Sequence, residues 1–117
     1  MGTTIFGAEG ERLARSYLEN KGYHFITRNF RRAHGEIDLI MDDEGTLVFV
    51  EVKSRHNRRY GDPIEAVGYT KQKHIRYCAN VFIREKRIED RRIRFDVVEI
   101  LISPYGEAKF RHTRNAF

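Results

Sequence analysis

Apolar residues recur with two different periods along these 117 residues. From about Gly7 to Lys21, Leu13, Ala14, Tyr17 and Leu18 keep the spacing of one helix face, and Gly22 supplies a stop. Beyond it, Tyr23 to Arg31 reads as extended around Phe25 and Ile26, Gly35 to Met41 as a second strand, and Thr46 to Ser54 as a third. The acidic turn Asp42-Asp43-Glu44-Gly45 joins the last two as a hairpin. Arg55 to Pro63 is polar, basic and closed by turn residues, which predicts a surface loop, and a short helical turn is expected over Pro63 to Val67. Thr70 is placed to cap a second long helix running to about Lys86, with Ile75, Cys78, Ala79 and Phe82 as its apolar stripe. Ile93 to Ile102 is β-branched and partly alternating. It predicts a last strand, reached from the third through the helix as a right-handed crossover. The order α, β, β, β, α, β predicts an α/β fold: a single domain with a central mixed sheet flanked by helices. Its core spans about residues 7–102, and the pattern assigns no element to the tail, 103–117. No repeat, low-complexity tract or linker divides the chain.

Strand side chains alternate faces, so Glu36 and Asp38 are expected on one face and Ile37 and Leu39 on the other; Phe49, Glu51 and Lys53 likewise oppose Val48, Val50 and Val52. Two adjacent strands then bring Asp38, Glu51 and Lys53 side by side. That grouping suits phosphodiester hydrolysis, in which a hard divalent ion such as Mg²⁺ or Mn²⁺ prefers carboxylate and carbonyl oxygens. Asp38 and Glu51 supply carboxylates, the backbone carbonyl of Val52 is a candidate third ligand, and Lys53 can orient a water or offset charge on phosphorus. Glu36 shares the Asp38 face, as an outer ligand or as a partner of Arg31 or Arg32.

Charge strengthens the nucleic-acid reading. The chain has 22 Lys and Arg against 17 Asp and Glu, a net +5. Arg55, Arg58 and Arg59, interleaved with His56 and Tyr60, are candidate phosphate contacts beside the site, against the alternative of a solvated loop. Lys71, Gln72, Lys73 and Arg76 open the second helix, where side chains and the positive helix end can meet phosphate, against the alternative of a solvated helix face. Arg94 and Asp96 alternate with Phe95 and Val97, buttressing the site or lying on the solvated side of the strand. The eight Phe and six Tyr fit a core and interfaces better than an array for stacking bases. Cys78, the only cysteine, falls on the apolar stripe and fits a core position. With no disulfide, no export signal and no membrane-spanning run, a cytoplasmic location is expected. The five histidines show no ligand spacing.

Several blocks together carry a resemblance: Gly10-Glu11-x-x-Ala14, Asn29-Phe30-Arg31, Gly35-Glu36-Ile37-Asp38-Leu39-Ile40, Phe49-Val50-Glu51-Val52-Lys53, Lys71 and Arg94-Phe95-Asp96-Val97-Val98. The chain resembles the small bacterial YraN family, placed in the PD-(D/E)XK nuclease superfamily and similar to archaeal Holliday-junction resolvases. The resemblance implies a restriction-endonuclease-like αβββαβ core, a metal site at Asp38 and Glu51, a catalytic Lys53 and a first-helix glutamate, with Glu11 preferred over Glu9. Gln72 is similar to helix glutamines that assist some superfamily members. Ile37 stands where the superfamily name has Pro. Kinship to resolvases implies branched or other non-B-form DNA as substrate, with RNA not excluded, and a homodimer as assembly. The rival reading is a non-catalytic nucleic-acid-binding scaffold.

Overall fold

The computed structural model describes residues 2–33, 35–55 and 67–117, with side chains from Gly7 onward. The first helix, α1 (Gly2–Asn20), begins before the predicted Gly7 and ends at its predicted stop. Gly22 takes a φ of 97°, while the amides of Gly22 and Tyr23 donate to the Glu19 and Leu18 carbonyls, at 3.0 and 3.1 Å. Those two bonds form a Schellman cap. Three strands follow: β1 (His24–Arg32), β2 (Gly35–Asp43) and β3 (Thr46–Arg55). The turn between the last two is shorter than the acidic run suggested. Asp42 and Asp43 belong to β2, and only Glu44 and Gly45 turn, with φ of 49° and 93°. Positive φ at both turn residues matches the twist of a two-residue hairpin.

The second helix, α2 (Tyr69–Glu85), opens on Gly68 as N-cap with no side-chain cap, so Thr70 lies inside the helix and does not cap it. The Gln72 side chain instead donates to the Val67 carbonyl at 2.9 Å. Next comes β4 (Ile93–Ile102), parallel to β3 as the crossover required. The tail contributes a fifth strand, β5 (Ala108–Thr113), antiparallel to β4. Ser103 shapes the turn between them: its hydroxyl accepts the Tyr105 and Glu107 amides, and Gly106 takes a φ of 85°. The chain end is also core, since the Ala116 amide donates to the Phe95 carbonyl at 2.7 Å and Phe117 stacks on Phe95. The predicted helical turn over Pro63 to Val67, apart from Val67 itself, lies outside the described residues, as do Arg58 and Arg59.

The sheet runs β1-β2-β3-β4-β5, mixed, with one helix cluster on each face. Ala14 and Leu18 of α1 pack on Leu39, Met41, Val48, Val50, Val98 and Ile100. The predicted stripe of α2, Ile75, Cys78, Ala79 and Phe82, packs on Ile40, Phe49, Phe95 and Val97, with Phe82 edge-on to Phe30 and Phe49. Among the described residues this is an α/β unit of five strands and two helices.

Alternation along β2 fails at one point. Ile37 was expected beside Leu39, yet it packs in the α2 cluster and Leu39 in the α1 cluster. The cause lies between two regular pairs, Arg28 with Leu39 and Phe30 with Ile37. There Asn29 takes a φ of 51°, a left-handed conformation that Asn tolerates better than most residues. Opposite it sits Asp38, and the regular pairing of β2 with β3 also stops at Leu39 and Val50. The sheet is therefore irregular where Asp38 needs to turn into a cleft.

Gly35 sets the approach of α2 to this region. A Cβ there would lie 2.7 Å from the His74 carbonyl oxygen and 2.8 Å from Cys78 Sγ. Backbone on one side cannot step aside, so Gly35→Ala is expected to destabilise by about 1–3 kcal/mol, a drop of several degrees in thermal midpoint. Calorimetry checks this, and an unchanged midpoint would contradict the close approach.

Candidate functional site

Two adjoining clefts, of about 280 and 250 Å³, share Asp38, Glu51 and Lys71. The first adds Glu36, His74 and Ile75 beneath α2; the second adds Glu11, Val52, Lys53 and Ser54 beneath α1. The pairing of β2 with β3 and the middle of α1 thus bring Glu11, Asp38, Glu51 and Lys53 together, with Lys71 from the first turn of α2.

Asp38 continues the ladder by other means where backbone pairing stops, because its Oδ2 accepts the Val52 amide at 2.7 Å. The Val52 N–H is thus taken by Asp38, while its carbonyl is the group that the sequence singles out as a candidate ligand. Burial pushes the Asp38 carboxyl up to about 9, helped by the charge and hydrogen bonding of Glu51, while the Val52 amide pulls the other way. Glu51 is 3% exposed and its carboxylate is held by the Lys71 ammonium. Burial works against the Lys71 charge, yet the hydrogen bond to Glu51 and the charges of Glu51, Asp38 and Glu36 outweigh it, so its pKa is raised.

The first helix contributes Glu11. Asn29 Nδ2 donates to both of its carboxylate oxygens at 3.0 Å, so the left-handed residue in β1 also aims this side chain. Glu9 pairs with Arg12 on the exposed side of α1 and lines neither cleft. A side chain at Gly10 would collide with Ser54 Oγ, which shows how closely α1 lies on β3 beside the second cleft.

Other sequence candidates are placed differently. Glu36 accepts from Arg31 Nε at 2.8 Å while lining the first cleft. Arg55 turns inward to Glu99, at 3.3 Å, and the fully buried Glu99 is also held by Arg111 at 2.8 Å. Gln72 lines neither cleft, Lys73 lies over the Tyr69 ring, and Arg76 lies over Phe95. Asp96 is neither solvated nor at the cleft. It is fully buried and accepts Arg94 Nε at 2.9 Å, His112 Nε2 at 2.7 Å and the Asn115 amide at 3.0 Å. Sequence reasoning missed the Lys71–Glu51 pair, the Asn29–Glu11 clamp and this Asp96 cluster.

Among the described residues, no group of three or more His, Cys, Asp or Glu is arranged to hold a metal ion. Two carboxylates with an open remainder still fit a hard ion, since Mg²⁺ is held by one or two carboxylates and keeps several waters. Asp38 is driven toward its protonated form by burial first and by Glu51 second, and a lysine cation sits on Glu51, so the donor set calls for positive charge.

A pH test follows from Asp38. An unfolded aspartate titrates near 3.9, so between roughly pH 4 and pH 9 the native protein keeps a proton that the unfolded chain releases. The Asp38 contribution is full below about pH 4 and is lost as pH rises through its folded value. Asp38→Asn keeps an acceptor for Val52 without the charge. Its thermal midpoint is expected to match wild type near pH 4 and to exceed it by a few degrees at pH 8. A difference that does not grow with pH would contradict the crowded pair.

The comparisons with known proteins agree with one another. A family model described as Uncharacterised protein family UPF0102 matches residues 10–100. A UPF0102 protein of Rhodococcus opacus is 46% identical over 111 residues, 95% of this chain and 94% of that protein. One of Dictyoglomus turgidum is 36% identical over 118 residues, covering both chains completely, and one of Persephonella marina is 39% identical over 113 residues, 97% and 93% of the two. No described helix is long and apolar enough to cross a membrane. By match and coverage, the chain belongs to the UPF0102 family, to which its YraN-like motifs pointed.

Proposed function

We propose that the two clefts form the centre of a divalent-metal-dependent nuclease of the PD-(D/E)XK kind, acting on DNA. The observation that carries this reading is the crowding of Asp38 and Glu51 in one cleft, with lysines from β3 and α2 at its wall. The αβββαββ order, in which β3 and β4 are parallel and joined through α2, supports a restriction-endonuclease-like core. The net charge of +5 supports a polyanionic substrate.

When bound, Mg²⁺ or Mn²⁺ would offset charge at the phosphate and lower the pKa of an attacking water. Asp38 and Glu51 would hold it, with the Val52 carbonyl as a third ligand. Lys71, the counter-ion of Glu51, lines both clefts, where its charge would suit a phosphate. Lys53, half-exposed on β3, orients the water or offsets charge on phosphorus. Glu11, clamped by Asn29, completes the acidic rim.

The scaffold reading has two observations in its favour: Lys71 already neutralises Glu51, and no three-residue metal group occurs among the described residues. Labelled single-stranded, duplex, flap and four-way-junction DNAs, incubated with wild type in Mg²⁺, Mn²⁺ or EDTA, separate the two. Products that require the divalent ion are expected. Salt-sensitive binding without products would favour the scaffold.

A further inference from the structure

The outward face of α2 is lined by Tyr69, Lys73, Arg76, Tyr77, Asn80 and Arg84, all exposed. At helical spacing they fall within roughly 100° of arc and run about 22 Å along the axis. The stripe lies opposite the buried Ile75, Cys78, Ala79 and Phe82. Two features set it apart from an ordinary solvated face. No carboxylate occurs between Tyr69 and Arg84, and the first one after it, Glu85, is bound by Arg32 at 2.8 Å. Tyr69 and Tyr77 are 74% and 52% exposed, large rings left in water two helical turns apart.

We propose that this face binds single-stranded DNA, with unpaired bases stacking on Tyr69 and Tyr77 and phosphates meeting Lys73, Arg76 and Arg84. A duplex hides its base faces, whereas an unpaired strand offers a π-face at every nucleotide and a charge between each pair. Lys73 Nζ lies 5.4 Å from the Tyr69 ring centre, so cation and ring are already side by side. Lys71, in the same first turn as Tyr69, reaches Glu51 from the opposite side of the helix, so the stripe is a surface separate from the clefts. None of the stripe residues lines either cleft, so the inference concerns binding of DNA with unpaired bases and does not depend on the nuclease reading.

Fluorescence anisotropy with a labelled oligo-dT 15-mer, in EDTA so that nothing is cut, tests the proposal. The double variant Tyr69→Ala, Tyr77→Ala is expected to bind about tenfold or more weakly, with the salt dependence unchanged. The corresponding Phe double variant, which keeps the rings, binds within about twofold of wild type. Lys73→Ala lowers the slope of log affinity against log salt by about 0.7. All three residues concerned are exposed, and circular dichroism checks the fold. Ala variants that bind oligo-dT as wild type does would overturn the proposal, even if the protein cleaves DNA. Ring-dependent binding by a protein that cleaves nothing would uphold it while removing the nuclease reading.

Discussion

Glu51→Ala is expected to reduce metal-dependent cleavage by at least about 10²-fold, the scale of losing one preorganised group that acts on the transition state. The fold should survive this change. Removing one member of a buried ion pair is usually damaging because the other charge is stranded. Here the partner, Lys71, is 48% exposed and can return its ammonium to water. The loss also relieves Asp38 of the neighbouring charge that raises its pKa. The two effects on stability oppose each other, while the proposed metal site would lose one of its two carboxylates. A thermal midpoint within a few degrees of wild type, together with lost cleavage, is the expected pattern, measured by calorimetry and single-turnover assays.

The largest stability effect is expected far from chemistry, at Asp96. Its carboxylate joins β4 to β5 and to the chain end, through Arg94, His112 and the Asn115 amide. Arg94 also reaches Asp43 at 3.0 Å and the Tyr23 hydroxyl at 2.6 Å, and Lys21 reaches His112 Nδ1 at 2.9 Å. Asp96→Ala would leave a mostly buried guanidinium with Asp43 as its remaining counter-ion and would take the acceptor from His112 and the Asn115 amide, together at a cost of about 3–5 kcal/mol and a fall of roughly 10–20 °C in thermal midpoint. Burial opposes ionisation of Asp96, but bonds from His112, Arg94 and Asn115 outweigh it and hold the carboxyl below its usual range. Its stabilising contribution is present above the unfolded value, near pH 3.9, and is lost as pH falls through the lower folded value. The Ala variant should lack that part of the acid transition. A midpoint shift of only a degree or two would contradict the role given to this cluster.

The contrast between these two aspartates shows what a sequence discloses. Asp38 and Glu51 stand out because each interrupts an apolar strand, although the break in alternation between Ile37 and Leu39, which sets the lie of Asp38, left no mark in the strand period. The stripe on α2 and the Gly22 stop were equally legible, being set by neighbours three or four residues away. Asp96 alternates with Phe95 and Val97 like any solvated strand face; its burial depends on β5, whose own pattern is short and interrupted by Lys109 and Arg111. The turn before β5 contains Pro104 and Gly106, in a tail to which the sequence assigns no element, and it is a tight connection. Lys71 looked like a surface cation, and only the lie of α2 over β3 gives it to Glu51. Asn29 belonged to a motif without a role until its backbone conformation and its bonds to Glu11 gave it one.

The most direct test of the account is a single-turnover assay with protein in excess over labelled DNA, using wild type and Glu51→Ala side by side in Mg²⁺ and in EDTA. The account predicts products from wild type in Mg²⁺ alone. Products that persist in EDTA, or that Glu51→Ala forms at the wild-type rate, would contradict it.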